Sequence, residues 1–391
     1  MAVVCDFLVI GSGLTGATIA RMLSDAGREV LVLERRNHVG GNVHDHVHPS
    51  GIRIHTYGPH YFRTNSERIW RFVNRFDEFF KYEAVVKTRV NGRLENWPIS
   101  AEYIRREVGA NWQPAFAGVP ANFQEACLAA MPRIVYERFV KGYTEKQWGV
   151  SAQSLSAVLA GRFDVRRDGE ARLSRARYQG IPGHGYAEFT RNLMAGVPIV
   201  LNCDYMAARS SFRARKLLIF TGAIDEFFNH DLGKLTYRAQ DRRHVFLPSQ
   251  DYAQPCGQVN SPDPSRGTHI RTLEWKYMMP PEQRYGIKGT VITTEHPYTS
   301  QDPDHYEYPF PDERNSELYR CYKARADQLR NVLICGRLGE YRYFDMDQAI
   351  ARAMMLGRKI LNVKDVSTVG NFSDAFASQE NSFPNHPCAA V

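Results

Sequence analysis

The chain has 391 residues, 43% of them hydrophobic and 24% charged. It is long enough for a large core and for two to three domains of about 100–200 residues each, and too apolar to remain disordered. The 50 Lys and Arg exceed the 42 Asp and Glu, giving a formal charge of +8, which fits nucleic acid, a membrane surface or an anionic small molecule as partner.

Nucleic acid is not expected, because no block of five like charges and no zinc-finger or RNP spacing occurs. The seven cysteines are widely spaced with no C-x-x-C, so neither a disulfide framework nor a metal site is expected. No run of 18 apolar residues is found, and the sequence enters a folded pattern directly. No membrane association is therefore expected, and the location is read as cytoplasmic.

Asp6–Ile10 reads as a buried strand, followed by Gly11-Ser12-Gly13-Leu14-Thr15-Gly16 and a helical pattern over Ala17–Ala26. A second strand, Glu29–Leu33, ends in Glu34. Glu67–Phe80 has helical spacing, and Ala84–Trp97 reads as a hairpin turning at Asn91-Gly92. Ala101 to about Val150 is helical, and Gly161–Gly180 is irregular and rich in arginine. Strands are expected at Leu217–Thr221, His244–Leu247, Gly267–Glu274, Gly289–Thr294 and Asn331–Cys335. Gln348–Leu361 closes the pattern as a helix, and a polar tail, expected to be loosely ordered, follows about Asn371.

The strand, G-x-G-x-x-G and helix in this order form a dinucleotide site. Gly11 makes the turn, Gly13 admits a pyrophosphate, and Gly16 packs helix against strand. The helix start at Leu14 and Thr15 offers free N–H groups to phosphate. Glu34 is placed to accept from a ribose diol. Arg35 follows, and then the Gly40-Gly41-Asn42 turn gives a second close backbone approach. A second helix N-terminus after Gly336-Arg337 could lie at an isoalloxazine ring. FAD is therefore preferred over NAD as the cofactor.

Further motifs carry a family resemblance. Tyr57-Gly58-Pro59-His60-Tyr61-Phe62, Phe139 through Gly149 with its G-Y-T-x-K-Q-W-G element, and Tyr178-Gln179-Gly180-Ile181-Pro182 resemble stretches of UDP-galactopyranose mutases. So do Thr221-Gly222-Ala223-Ile224-Asp225, Arg271-Thr272-Leu273-Glu274 and Gly336 through Asp347. The matches run in the family's order across nearly the whole chain.

The resemblance implies a mutase that interconverts the pyranose and furanose forms of a nucleoside-diphosphate hexose. Reduced flavin N5 would form a covalent sugar adduct, with NAD(P)H as a plausible reductant and a homodimer as the assembly. It implies that Arg166 and Arg271 bind the diphosphate, since the planar guanidinium pairs two phosphate oxygens. Tyr178, Tyr308 and Tyr343 would hydrogen-bond the phosphates, while Phe139, Tyr143, Thr144 and Trp148 would form the nucleoside pocket. Tyr57, Gly58 and His60 would face the flavin, together with Gly222, Arg337, Tyr343, Asp345, Met346 and Asp347. The segment from Gly161 to Arg177, which also carries Arg162, Arg167, Arg172 and Arg175, is read as a lid over the diphosphate.

The chain departs from the family's pattern at Arg63 and Ser100, both expected near the reacting sugar, and at Trp275 and His296. These departures open the substrate to a GDP- or dTDP-linked hexose or deoxyhexose, as in antibiotic or polysaccharide pathways. Two other classes of function stand beside the mutase. One is an FAD-dependent oxidoreductase sharing the dinucleotide unit, and the other is a nucleotide-sugar binder without catalysis.

The expected fold class is α/β, a Rossmann-like FAD-binding domain with an inserted helical domain and an antiparallel β-sheet substrate domain. The FAD domain is assigned residues 1–80, 190–240 and 325–391. The helical insert is assigned 101–165, and the sheet domain 81–100, 166–189 and 241–324.

Overall fold

Val3–Ile10 lies at the centre of a five-stranded parallel sheet in a computed structural model that describes residues 2–163, 165, 166 and 168–363. Val30–Leu33 pairs on one side and Phe212–Phe220 on the other, with Ile199–Val200 and Val332–Ile334 at the edges. Such a sheet is covered on both faces, which is why its strands read as continuous apolar runs. The helix Leu14–Asp25 packs along Met346–Asn362 over this sheet, burying Ile19, Ala20 and Leu23 against Ile350, Ala353 and Leu356.

A seven-stranded sheet forms the second layer. Its order is Tyr308–Pro309, Tyr237–Leu247, Thr290–Ser300, Arg271–Glu274, Gln258–Asn260, Val86–Val90 and Arg93–Trp97. The pairing is antiparallel except between Gln258–Asn260 and Val86–Val90, which run parallel. The sheet is thus antiparallel in the main, with one parallel junction where the hairpin joins. The strands expected at His244–Leu247 and Gly289–Thr294 are the ends of a long ladder in which Tyr237 faces Ser300 and Leu247 faces Thr290.

Helices Ala101–Glu107, Phe123–Ala130 and Gly142–Trp148 and a π turn over Tyr136–Lys141 build the helical part. They share a core of Phe123, Cys127, Tyr136, Phe139 and Val140 with Trp97 and Ile99 of the hairpin.

Two expectations are corrected. Glu67–Phe80 is not one helix. It stops at Val73, where Asn74 caps it, and the Asn74 side chain accepts from Phe79 N at 3.0 Å and turns the chain into the strand Phe79–Lys81. Residues 178–189 leave the sheet unit and belong with the nucleotide-binding part. Tyr178–Pro182 pairs with Phe62–Thr64 and Phe79–Lys81, and Tyr186, Phe189 and Leu193 of the next helix enter the same core as Leu23 and Val32. The tail after Asn371 lies outside the described residues.

Candidate active site

A long cleft opens at the carboxyl ends of Val3–Ile10 and Val30–Leu33 and runs toward the seven-stranded sheet. In open α/β sheets ligands bind there. Gly11, Gly13, Leu14, Thr15 and Gly16 line its first part. A Cβ on Gly16 would stand 2.0 Å from the Gly11 carbonyl oxygen, so only glycine lets the helix start this close to the strand. Glu34 lines the same end and is 5% exposed. Its carboxylate accepts from Ser12 N at 2.8 Å, Ser12 Oγ at 2.6 Å and Arg36 N at 3.0 Å. Three fixed donors hold this acceptor in one orientation.

The second glycine turn closes on the first. Gly41 has φ of +55°, and a Cβ there would lie 2.9 Å from Gly13 Cα. Beside it Asn42 accepts from Arg36 Nη1 at 2.9 Å and donates to the Tyr306 carbonyl at 3.0 Å. Arg36 also donates to the Asp304 carbonyl and stacks over the Tyr57 ring at 4.3 Å. Arg35 pairs with Glu226 at 2.5 Å in the cleft wall. The two turns, the oriented Glu34 and the two-helix geometry fit an extended dinucleotide.

His60, Arg63, Arg337, Tyr343, Asp345 and Met346 line the far end. His60 is held neutral, its imidazole pushed down to about 3 by burial and by the nearby Arg337 guanidinium. Its Nδ1 is buried without a partner, as is Nε of Arg337. Arg337 lies 4.3 Å from the Tyr343 ring centroid and 5.3 Å from that of Tyr308, and the two rings stand 12° from parallel. Arg63 Nη2 donates to both carboxylate oxygens of Asp345 at 3.3 Å. Asp347, in the first turn of Met346–Asn362, is pushed up to about 6 by burial and by Asp345.

Arg271 marks where the cleft meets the sheet. It is 0% exposed yet lines the cleft, and its Nη1 and Nη2 are buried without partners. Its Nε donates to Glu295, the residue directly opposite on the neighbouring strand. Glu295 also accepts from Arg242 Nε at 2.9 Å, and Arg242 makes two further bonds to Glu307 at 2.8 and 2.9 Å. The charges of this four-residue chain cancel, so Arg271 stays cationic while its outer nitrogens face the cavity. Tyr143 and Tyr308 lie within reach of its field; burial pushes Tyr143 up to about 12 and the Arg271 charge opposes that rise.

Other expected residues stand away from the cleft walls. Arg166 is 4% exposed, and its Nη2 donates to the Leu173 carbonyl at 3.4 Å. Leu173 lines the cleft, so Arg166 stands one residue behind the wall. Arg167 lies outside the described residues. Tyr178 stacks on Trp70 at 5.4 Å, and Phe139 packs edge-on to Tyr103 at 4.8 Å. Trp148 packs edge-on to Phe310, while Thr144, a neighbour of Tyr143 on the same helix, has a buried hydroxyl without a partner.

Ser100, expected near the sugar, caps a helix: its Oγ accepts from Tyr103 N at 3.2 Å at the start of Ala101–Glu107. Trp275 is a core residue with Nε1 donating to Thr293 Oγ1 at 2.6 Å. Gly58 and Asp347 do not line the cleft. A Cβ on Gly58 would stand 2.8 Å from both Arg242 Nη2 and Glu295 Oε1, and Gly222 forms part of the wall itself.

Sequence reasoning missed Glu295, Arg242, Glu307 and Glu226. The available signal was polar and charged residues on one face of a strand, since Arg238, Gln240 and Arg242 stand at alternate positions of Tyr237–Leu247 with Glu295 on the neighbouring strand.

A family profile described as UDP-galactopyranose mutase matches residues 138–343, and a profile described as NAD(P)-binding Rossmann-like domain matches residues 9–76. The chain is 30% identical over 366 residues to a dTDP-fucopyranose mutase of Escherichia coli, covering 89% of this chain and 96% of that protein. It is also 30% identical over 374 residues to a probable UDP-galactopyranose mutase of Klebsiella pneumoniae, covering 91% and 95%. In fold it is similar to a reduced UDP-galactopyranose mutase with a TM-score of 0.74 at 14% identity, over 94% of this chain and 98% of that one.

Proposed function

The chain belongs to the UDP-galactopyranose mutase family of flavin-dependent pyranose/furanose mutases, and from that premise we propose that it acts on a nucleoside-diphosphate hexose whose diphosphate is held by Arg271. The observation that carries this reading is the Arg271 guanidinium, fully enclosed and paired through Nε, with both Nη atoms turned to a cavity and unpartnered. Buried donors of this kind need an acceptor, and a diphosphate supplies a planar match.

The cofactor that fits is FAD, whose ribose would be held by Glu34 and whose pyrophosphate would be held by the Gly11–Gly16 turn and Gly41. When bound and reduced it supplies the nucleophile for redox-neutral exchange at the anomeric carbon. The chain's own residues bind and orient. Arg271 steadies the charge that builds on the departing diphosphate, and Tyr143 and Tyr308 offer hydroxyls beside it. Neutral His60 lines the cavity without adding charge, with its buried Nδ1 unpartnered. Arg337, beside the rings of Tyr308 and Tyr343, lends positive charge at the flavin end. The family resemblance assigns the nucleoside to Tyr143, Thr144 and Trp148 of helix Gly142–Trp148, with Phe139 behind them, beyond the cleft walls described above.

Arg166 joins Arg271 when the segment 161–177 closes. Proteolysis there should slow when nucleotide sugar is added, and an unaltered rate sinks the lid. NAD(P)H as reductant and a homodimer as assembly rest on the family resemblance alone. A cytoplasmic location rests on the sequence reading; no helix among the described residues is long and apolar enough to cross a membrane.

The decisive assay incubates dithionite-reduced protein with a panel of UDP-, GDP- and dTDP-hexoses and seeks furanose products. No furanose from any donor overturns the reading. The panel also decides between a UDP-hexose and a dTDP- or GDP-linked deoxyhexose, the choice that Arg63 leaves open.

A further inference from the structure

Arg63 lies on the strand Phe62–Thr64, opposite Gln179, with its side chain 15% exposed at the far end of the cleft. Its guanidinium meets the carboxylate of Asp345, and Asp345 is the N-cap of Met346–Asn362 in a full capping box with Gln348. Asp347 adds a second carboxylate in the first turn; the Arg63 charge and a hydrogen bond from Thr64 partly offset the burial that disfavours its ionisation. Two carboxylates and one guanidinium thus share the N-terminus of the longest helix in the structure, next to cleft residues Met346, His60 and Arg337.

The electrostatics of this corner are opposed. The helix N-terminus carries a partial positive charge, which favours an anion in front of it. Asp345 and Asp347 cancel that field unless they are compensated. Arg63 is the cation that meets them from the facing strand, and it does so from within a partly buried site where screening by solvent is weak.

We propose that Arg63 is a positioning residue for the cofactor's charge state: by neutralising Asp345 it lets the positive helix end act on the flavin and favours the reduced, electron-rich form. The inference rests on the reading that this cleft holds flavin. It also gives the departure at position 63 a role in the cofactor's redox balance that does not depend on which sugar is bound.

The test is an anaerobic titration of the flavin-loaded full-length protein against a reference dye. Arg63→Gln is expected to lower the ratio of reduced- to oxidised-flavin affinity about tenfold, which is about 30 mV for a two-electron couple. Arg63→Lys keeps the charge and should keep the potential. The double variant Arg63→Gln/Asp345→Asn removes both charges while Asn still caps the helix, and should return the potential toward that of the parent. An unmoved potential in Arg63→Gln overturns the proposal, and so does an equal fall in Arg63→Lys or a double variant without recovery. A merely structural role would give one of those three results. A protein that retains no flavin overturns the functional reading and this inference together. One that retains flavin and makes furanose with an unmoved potential overturns this inference alone.

Discussion

Arg271 and Glu295 form an ion pair in which both side chains are 0% exposed, set directly across from each other on adjacent antiparallel strands. A buried pair of this kind is costly to break because the remaining charge has no solvent. Removing the Glu295 carboxylate leaves the enclosed Arg271 guanidinium without its anion and takes one of two carboxylates from Arg242, which keeps Glu307. Glu295→Gln is expected to lower stability by about 3–5 kcal/mol, read as a lost denaturation midpoint. Arg271→Lys keeps a cation against Glu295 but loses the planar fork. It should fold, and its kcat/KM should fall about 10²-fold or more, as for loss of a transition-state donor. A Lys variant with parental kinetics would remove Arg271 from the diphosphate site.

The contact between the two glycine turns makes a second prediction. Gly41→Ala adds a methyl 2.9 Å from Gly13 Cα at a φ of +55°. The turns must separate, so flavin should be lost on gel filtration while far-UV circular dichroism stays unchanged. Gly27→Ala serves as a control: it also has positive φ, at +69°, but a Cβ there meets nothing within 4 Å. It should retain flavin at a cost of about 1 kcal/mol.

The acid limb of stability follows from three imidazoles. His60 is depressed to about 3 and His44 to about 4, chiefly by burial, and His55 is pushed down as well. In the unfolded chain each titrates near 6.5. Between that value and the folded one, the unfolded state binds more protons. Stability is therefore full above about pH 6.5 and falls as pH drops toward 4. Asp347, raised to about 6, works in the opposite direction, as do the raised carboxyls of Asp45 and Glu226, but His38, His46, His244, His269 and His296 are lowered as well and add to the three. The melting temperature should fall from pH 7 to pH 5, with a shallower slope in His44→Gln. A flat profile would contradict the enclosed, neutral state of these rings.

Ser100→Ala tests the capping role of that residue. Losing the cap of Ala101–Glu107 should cost about 1 kcal/mol, with KM for the nucleotide sugar little changed. Ser100→Asn, which caps equally well, should keep stability. A large rise in KM for Ser100→Ala with unchanged stability would return Ser100 to the sugar site.

What was legible in the sequence was local. The strand, glycine turn, helix and Glu34 announce themselves because each rule spans a few residues, and the hairpin at Asn91-Gly92 does so for the same reason. The helix overrun past Val73 came from reading spacing alone, when Asn74 was the stop signal. Ser100 was read through a family pattern although it directly precedes a helix, where serine is a cap. The pairing of Arg271 with Glu295 could not be read, because strand register across a distant ladder decides it. Arg166 was assigned by motif alone; in the fold its Nη2 donates to the carbonyl of Leu173, a residue of the cleft wall.

Gly58 has one more consequence. It is the place where the loop beside His60 rests on the Arg242–Glu295 pair, with no side chain of its own between them. The loop beside His60 and the Arg242–Glu295 pair that anchors Arg271 are therefore in direct contact. Strain introduced on either side has nowhere to dissipate, so a cofactor-side substitution at position 58 should read out as weakened nucleotide-sugar binding before any flavin is lost.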